Sequence, residues 1–238
     1  MAGLKDIWVY LSASPLLHLT LTLAAFQLGN WCYMRSRMNS LLNPVLLAII
    51  LIVSLLVFTA TSYQEYFDGA QFVHFLLGPA TVALAVPLYR QVERIRHSAL
   101  AIFTSIGAGS LTAILSSLAI GYVAGLSKTA LVSMAPKSVT APVAMGISEQ
   151  LGGLPSLTAV LVIVTGIFGA MTGPMILDAI GVRDWSARGL ALGTTSHGIG
   201  TARALQVNEV AGAFSGLAMG LNALATAILL PILWKAFF

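Results

Sequence analysis

The sequence predicts an all-α polytopic membrane protein with about six transmembrane helices and two re-entrant or broken helical hairpins set as an inverted repeat. Three observations lead there: uncharged runs long enough to cross a bilayer, a loop-charge pattern that fixes orientation, and two polar segments broken by glycine and proline. Of 238 residues, 58% are hydrophobic and 8% charged, whereas about a quarter of a soluble chain is charged. A soluble enzyme with a core of its own is excluded, and no catalytic activity is expected.

The charged residues mark out the spans. There are 28 uncharged residues between Asp6 and Arg35, 27 between Arg37 and Glu65, 21 between Asp68 and Arg90, 31 between Arg96 and Lys128, 28 between Glu149 and Asp178, and 25 between Glu209 and Lys235. Each exceeds the roughly 18–20 residues needed to cross a hydrocarbon core about 30 Å thick. The connections are short, so residues 1–238 should form a single transmembrane domain. Within it, 1–97 would be N-terminal helices serving as a scaffold, 98–153 a first repeat, 154–209 a second and 210–238 the last helix. The first apolar run is span-length, contains Pro15 and lacks a basic leader, so it should be retained as a helix rather than cleaved. The net charge of +4 does not indicate nucleic acid, because Lys and Arg accumulate in cytoplasmic loops during insertion. The single cysteine, Cys32, excludes an intramolecular disulfide and a Cys-rich metal site.

Orientation follows from the basic loops. Arg35 and Arg37 follow span one, and Arg90, Arg94 and Arg96 follow span three, which places both loops in the cytoplasm and the amino terminus outside. Span four then runs outward. Span five, about 156–180, is followed by Arg183 and Arg188 and must run inward. Residues 127–153 therefore begin and end outside, and cannot be a simple crossing.

Composition agrees with parity. Residues 127–153 carry Pro136, Pro142, Gly146, Gly152 and Gly153, and 186–209 repeat the pattern on the cytoplasmic side with Gly193, Gly198 and Gly200. Interrupted backbone at membrane depth is tolerated where it is buried in protein or lines a wet cavity. At an offset of 60 residues Gly109 meets Gly169, Thr112 meets Thr172, Ala119-Ile120-Gly121 meets Ala179-Ile180-Gly181, and Glu149 meets Glu209. A helix plus broken hairpin, duplicated with inverted orientation, is the plan of many secondary transporters, whose sites lie near the midplane where the broken elements meet.

Ionisable groups inside a bilayer cost about 2.5–3.5 kcal/mol each on insertion scales, so those beside the broken segments carry information. Lys137 and Arg203, flanked by Ser138, Thr140 and Thr201, suit a small anion that needs both positive charge and hydroxyl donors; the plainer alternative is a snorkelling or structurally paired cation. Ser196 and His197 lie among Thr194, Thr195 and Gly198, where an imidazole could relay a proton or donate to a carboxylate. Glu149 beside Gln150 and Glu209 beside Asn208 end the two elements and could hold a coupling proton or cation, or simply pair with Arg203 or Lys137. Asp178 is expected near the cytoplasmic interface with Arg183. His18 should be a packing residue.

Two apparent motifs are discounted. The glycine spacing of 193–200 lacks the lysine and preceding strand of a phosphate loop, and Ser196-His197 lacks a nucleophile elbow and an orienting acid. The ladders Gly212-Gly216-Gly220 and Gly169-Gly173 have the spacing that lets helix backbones approach closely, within or between subunits.

The segments APKSVTAPVAMGISEQLGG (135–153), GAMTGP (169–174) and GTTSHGIGTARALQVNEVAGAFSGLAMGLN (193–222), supported by 41–49 and 77–89, resemble the LrgB/CidB family. That family includes YohK-like bacterial inner-membrane proteins and the carboxy-terminal part of the plant plastidic glycolate/glycerate translocator. The resemblance implies a multi-pass protein of the bacterial cytoplasmic membrane. Members are described both as holin/antiholin-like modulators of murein hydrolase export and autolysis, and as carriers of short monocarboxylates such as pyruvate, glycolate and glycerate. A small LrgA/CidA-type membrane partner often accompanies them. The residues favour the carrier, because a lysis pore has no need of two broken, polar, charged hairpins. Its expected partners are a small carboxylate, the lipid bilayer and further copies of itself, with a coupling proton or sodium ion in place of any cofactor.

Overall fold

The computed structural model describes residues 15–238, which are helical with no strand among them. The first predicted span opens at residue 7, so its residues 7–14 lie outside the described residues. Two compact units divide the chain, one ending at Ala83 and the other running from Leu84 to Phe238.

In the first unit, α1 (Pro15–Arg35) and α2 (Pro44–Thr59) pack together where Gly29 leaves room; a Cβ there would meet the Pro44 carbonyl oxygen at 2.7 Å. Asn43 starts α2 by accepting from the N–H groups of Val45 and Leu46 at 2.9 and 3.2 Å. His18 is buried, as a packing residue should be, with its ring edge-on to that of Tyr66 in α3 (Tyr63–Phe75). The last helix of this unit is α4 (Leu77–Ala83).

The third predicted span is not one helix. It is divided among α3, α4, α5 (Ala85–Arg90) and, beyond it, α6 (Val92–His97). Two prolines account for the first two divisions. A proline ring clashes with the carbonyl four residues earlier, which sets Pro79 against Phe75 and Pro87 against Ala83, the last residues of α3 and α4. Among the described residues, three helices are long and apolar enough to cross a membrane: α7 (Ala99–Val123), α10 (Pro155–Ala179) and α12 (Glu209–Phe237). These are the predicted spans four, five and six. The second span, by contrast, yields only 16 helical residues, because Asn43-Pro44 starts the helix late and Ala60 ends it in a left-handed turn.

The second unit uses one plan twice. Helices α7 and α10 are each 25 residues long, and each ends through a left-handed glycine, Gly125 at φ 73° and Gly181 at φ 75°. A capped helix follows in both cases. Ser127 accepts from the Ala130 N–H to start α8 (Lys128–Met134), which is succeeded by α9 (Ala141–Gln150). Asp184 accepts from the Ala187 N–H to start α11 (Trp185–Val207). The glycine caps align one helical turn short of the 60-residue register seen in the side chains. One turn preserves the helix face, so both registers describe the same pairing of elements.

Close approach is concentrated on α11. A Cβ on Gly189 or Gly193 would run into the Ala211 or Ser215 carbonyl of α12, and a Cβ on Gly169 of α10 would strike the Ser196 hydroxyl. Gly169 and Gly173 therefore pack within the chain. The ladder on α12 divides: Gly212 meets Leu205, while nothing lies within 4 Å of a Cβ at Gly220. Asp178 pairs with Arg188 at 2.6 Å rather than with Arg183, because the glycine turn at Gly181 brings the first turn of α11 back beneath it. Where α8 and α9 meet α10, the buried Thr158 hydroxyl lies 2.8 Å from the Ser148 hydroxyl and 3.0 Å from the Ser133 carbonyl.

Candidate functional site

Both polar segments are interrupted, and the interruptions have separate local causes. Between α8 and α9 the helix lapses over residues 135–140. Pro136 supplies no N–H and crowds the carbonyl of Val132, and Pro142 suits the first turn of the helix that follows. In α11 the break falls on His197, whose φ of 42° and ψ of −133° are not helical. Gly200 lets the chain fold back, since a Cβ there would lie 2.6 Å from the Leu192 carbonyl oxygen.

Asn222 of α12 joins the two breaks. It is fully buried, and its amide donates to the Ser138 carbonyl at 3.0 Å and to the Thr194 carbonyl at 2.9 Å. Its own carbonyl accepts from the Ser110 hydroxyl of α7 at 2.5 Å. In an unbroken helix the Thr194 carbonyl would accept from the N–H four residues on, and the His197 break lies inside that interval. One side chain thus serves a carbonyl in each interrupted segment, and both its amide protons are used.

Beside this junction lies a cavity of about 760 Å³ between α7, α10, α11 and the first break. Thr112, Ser116, Thr165, Thr172 and Thr195 bring hydroxyls to it, and Phe168, Val164 and Ile176 bring apolar surface. Lys137 and Ser138 of the break also line it, and among the described residues that do so Lys137 alone carries a charge. Such a wall offers one cation amid hydroxyls and apolar surface; the hydroxyls of Thr112, Ser116, Thr172 and Thr195 donate to carbonyls of their own helices, so Lys137 is the group there that suits an anion.

The other predicted residues take different places. His197 is buried and its Nε2 lies 2.9 Å from the Val162 carbonyl of α10. Since a carbonyl can only accept, Nε2 carries the proton there. The Thr201 hydroxyl donates to the His197 carbonyl at 2.9 Å and lies 3.0 Å from the Ser215 hydroxyl. Ser196 is buried against Gly169, 3.1 Å from the Thr195 hydroxyl. These three shape the second break but do not line the cavity. Thr140 stands at the start of α9 without a side-chain capping bond, and Arg203 is half-buried in the later part of α11.

The groups expected near a coupling ion do not gather at the junction. Glu149 is exposed at the end of α9, and Glu209 forms an exposed ion pair with Arg90 at 3.1 Å, not with Lys137 or Arg203. Asn208 caps α12, accepting from the N–H groups of Val210 and Ala211 at 2.9 and 3.2 Å. Sequence reasoning missed Asn222, although an amide in an otherwise apolar span is itself a signal, and missed the cavity's threonines. The 60-residue pairs Gly109/Gly169 and Thr112/Thr172 did hold part of that information, because all four residues line the cavity.

Fold and site together define an all-α, multi-pass membrane protein built around two interrupted helices. The chain belongs to the LrgB-like family, whose model matches residues 22–236. It is 36% identical over 200 residues to holin-like protein CidB of Staphylococcus epidermidis, covering 84% of this chain and 87% of that one. It is 34% identical over 200 residues to holin-like protein CidB of Staphylococcus aureus, with the same coverage of 84% and 87%. The uncharacterized protein YxaC of Bacillus subtilis is 37% identical over 212 residues, 89% of this chain and 92% of that one. No solved structure matches. The apolar helices and the bacterial relatives place it in the bacterial cytoplasmic membrane.

Proposed function

We propose that the protein is a secondary transporter of small organic anions, short monocarboxylates such as pyruvate, glycolate or glycerate. The observation that supports this most strongly is Lys137, carried by a helix break to the wall of a 760 Å³ cavity otherwise lined by hydroxyls and apolar groups. A permanent pore has no use for a single cation set in interrupted backbone, whereas a carrier needs a site that binds a carboxylate and can change sides. The repeated plan of α7–α9 and α10–α11 is taken as an inverted repeat, with the substrate near Lys137 and Ser138 and the segment from Ser196 to Arg203 closing the other side. Movement would be coupled to a proton or sodium ion, with Glu149 and Glu209 the acidic groups to test, and the protein would act as a homo-oligomer. Purified protein in liposomes should take up labelled short carboxylates when a proton or sodium gradient is imposed, and no uptake of any of them under either gradient would count against the proposal.

A second function is favoured by the name of the relatives, holin-like protein. Here the protein would modulate murein hydrolase export and autolysis, with a small LrgA/CidA-type membrane partner. Deletion should then change autolysis in medium free of short carboxylates. An unchanged rate, with uptake intact in liposomes, leaves transport alone.

A further inference from the structure

The cavity holds a base and no acid. Among the described residues that line it, α7, α10 and α11 bring hydroxyls and apolar groups, and Lys137 of the first break is the sole ionisable one. The ionisable groups of the surrounding elements are engaged elsewhere or face out. On α10, Asp178 pairs with Arg188; on α12, Glu209 pairs with Arg90. On α8, Lys128 donates to the Phe238 carbonyl at 3.2 Å, and Glu149 is exposed at the end of α9. His197 of the second break keeps its Nε2 on the Val162 carbonyl, and neither it nor Arg203 lines the cavity. No carboxylate among the described residues forms an ion pair with Lys137.

We infer that Lys137 is the proton-coupling group as well as the anion site, so that one proton travels with each carboxylate on the Lys137 amine and no acidic residue takes part. This rests on the transport proposal and puts a base where that proposal names Glu149 and Glu209. When the site is loaded, ammonium and carboxylate neutralise each other. When it is empty, the same site would hold a cation at membrane depth with no protein carboxylate to pair it, and an unpaired charge there is costly. An amine escapes that cost by giving up its proton, which a guanidinium cannot do. The cycle then balances. The protonated amine takes the carboxylate on one side; on the other the carboxylate leaves and the ammonium gives its proton to water. The neutral amine returns and takes a proton from the first side, so one anion and one proton have moved together with no net charge.

The full-length protein in sodium-free liposomes tests this, read before protein-free liposomes gain label. With acid outside, the parent should accumulate labelled pyruvate or glycolate toward about tenfold for each unit of pH difference, and an imposed membrane potential alone should drive none. Lys137→Arg, whose cation is permanent, should still exchange inside for outside carboxylate, at about a tenth of the parent rate or faster, but should not accumulate label under the proton gradient. A second pair guards against an arginine that does not fit. Lys137→Cys, in a background lacking Cys32, should regain accumulation when coupled through a disulfide to an ethylamine, and exchange alone when coupled to an ethyl-trimethylammonium group. Accumulation by either fixed-charge protein equal to the parent's, a need for sodium in place of protons, or uptake by the parent driven by potential would overturn the assignment and leave transport standing. Binding gives a reading without transport: at mildly alkaline pH, pyruvate binding by the purified parent should draw a proton from weakly buffered solution, and binding with no proton uptake would also overturn it. A parent that neither accumulates nor exchanges any short carboxylate would instead end the transport proposal, and the coupling assignment with it.

Discussion

The Nε2 atom of His197 lies 2.9 Å from the carbonyl oxygen of Val162, and this bond anchors the break in α11 to the neighbouring α10. The ring fits because Gly166 lies opposite; a Cβ there would come within 2.5 Å of it. The backbone of His197, at φ 42°, is one that glycine adopts without cost and that strains other residues by about 1–3 kcal/mol. The position thus tolerates strain to keep an imidazole. His197→Ala should lose the bond and retain the strain, whereas His197→Gly should lose both, so the glycine variant should be more stable than the alanine variant by about 1 kcal/mol or more. Thermal unfolding of the two in detergent measures this, and an alanine variant at least as stable as the glycine one would show that the break is not held in that conformation.

Gly166 supplies a second prediction. Enlarging it to Val would displace the His197 ring from the Val162 carbonyl and overpack a buried contact, at a cost of about 1–3 kcal/mol. The same change at Gly146, where nothing lies within 4 Å of a Cβ, should cost much less. A comparison of the two melting temperatures checks the difference.

The knot of Ser133, Ser148 and Thr158 ties the ends of α8 and α9 to the start of α10. Thr158→Val keeps the shape but leaves the Ser133 carbonyl and Ser148 hydroxyl a partner short, which should cost about 1–2 kcal/mol. Thr172→Val is the control, since the Thr172 hydroxyl bonds only its own helix, to the Phe168 carbonyl at 2.9 Å. Equal loss of stability in both would mean that the knot contributes nothing particular.

Orientation is open to a direct test. Cysteines at Leu126 and Gln150, which flank the first broken segment, should both react from outside, and those at Arg94 and Arg183 only from the cytoplasm. All four positions are exposed. Gly153 is unsuitable, because a Cβ there would strike the Ser148 hydroxyl. Reaction of Leu126→Cys and Gln150→Cys from opposite sides would turn the segment into an ordinary crossing and end the inverted repeat.

Much of this architecture was legible in the amino-acid order. The long apolar helices α7, α10 and α12 were visible because uncharged runs of that length have few other uses, and both breaks were visible because proline and glycine interrupt helices for local reasons. The division of the third span was legible too, through Pro79 and Pro87, but a count of charges passes over prolines. Long-range partners were not legible. Whether Asp178 meets Arg183 or Arg188 depends on the turn made at Gly181, and whether Glu209 faces an ion or Arg90 depends on how α5 packs against α12. Asn222 lies 84 residues from Ser138, and only the folded chain reveals that one amide serves both interruptions.

The central claim is that Lys137, at the first break, draws a small carboxylate into the cavity. The most direct measurement is uptake of labelled pyruvate, glycolate and glycerate into liposomes containing either the parent protein or Lys137→Ala, each first shown to be folded. Uptake by the parent and its loss by about a hundredfold in Lys137→Ala, with partial recovery in Lys137→Arg, is the expected result, since a buried charge-assisted contact is worth about 1.5–3 kcal/mol. Equal uptake by the parent and by a folded Lys137→Ala protein would contradict the claim and move the site away from the broken helix.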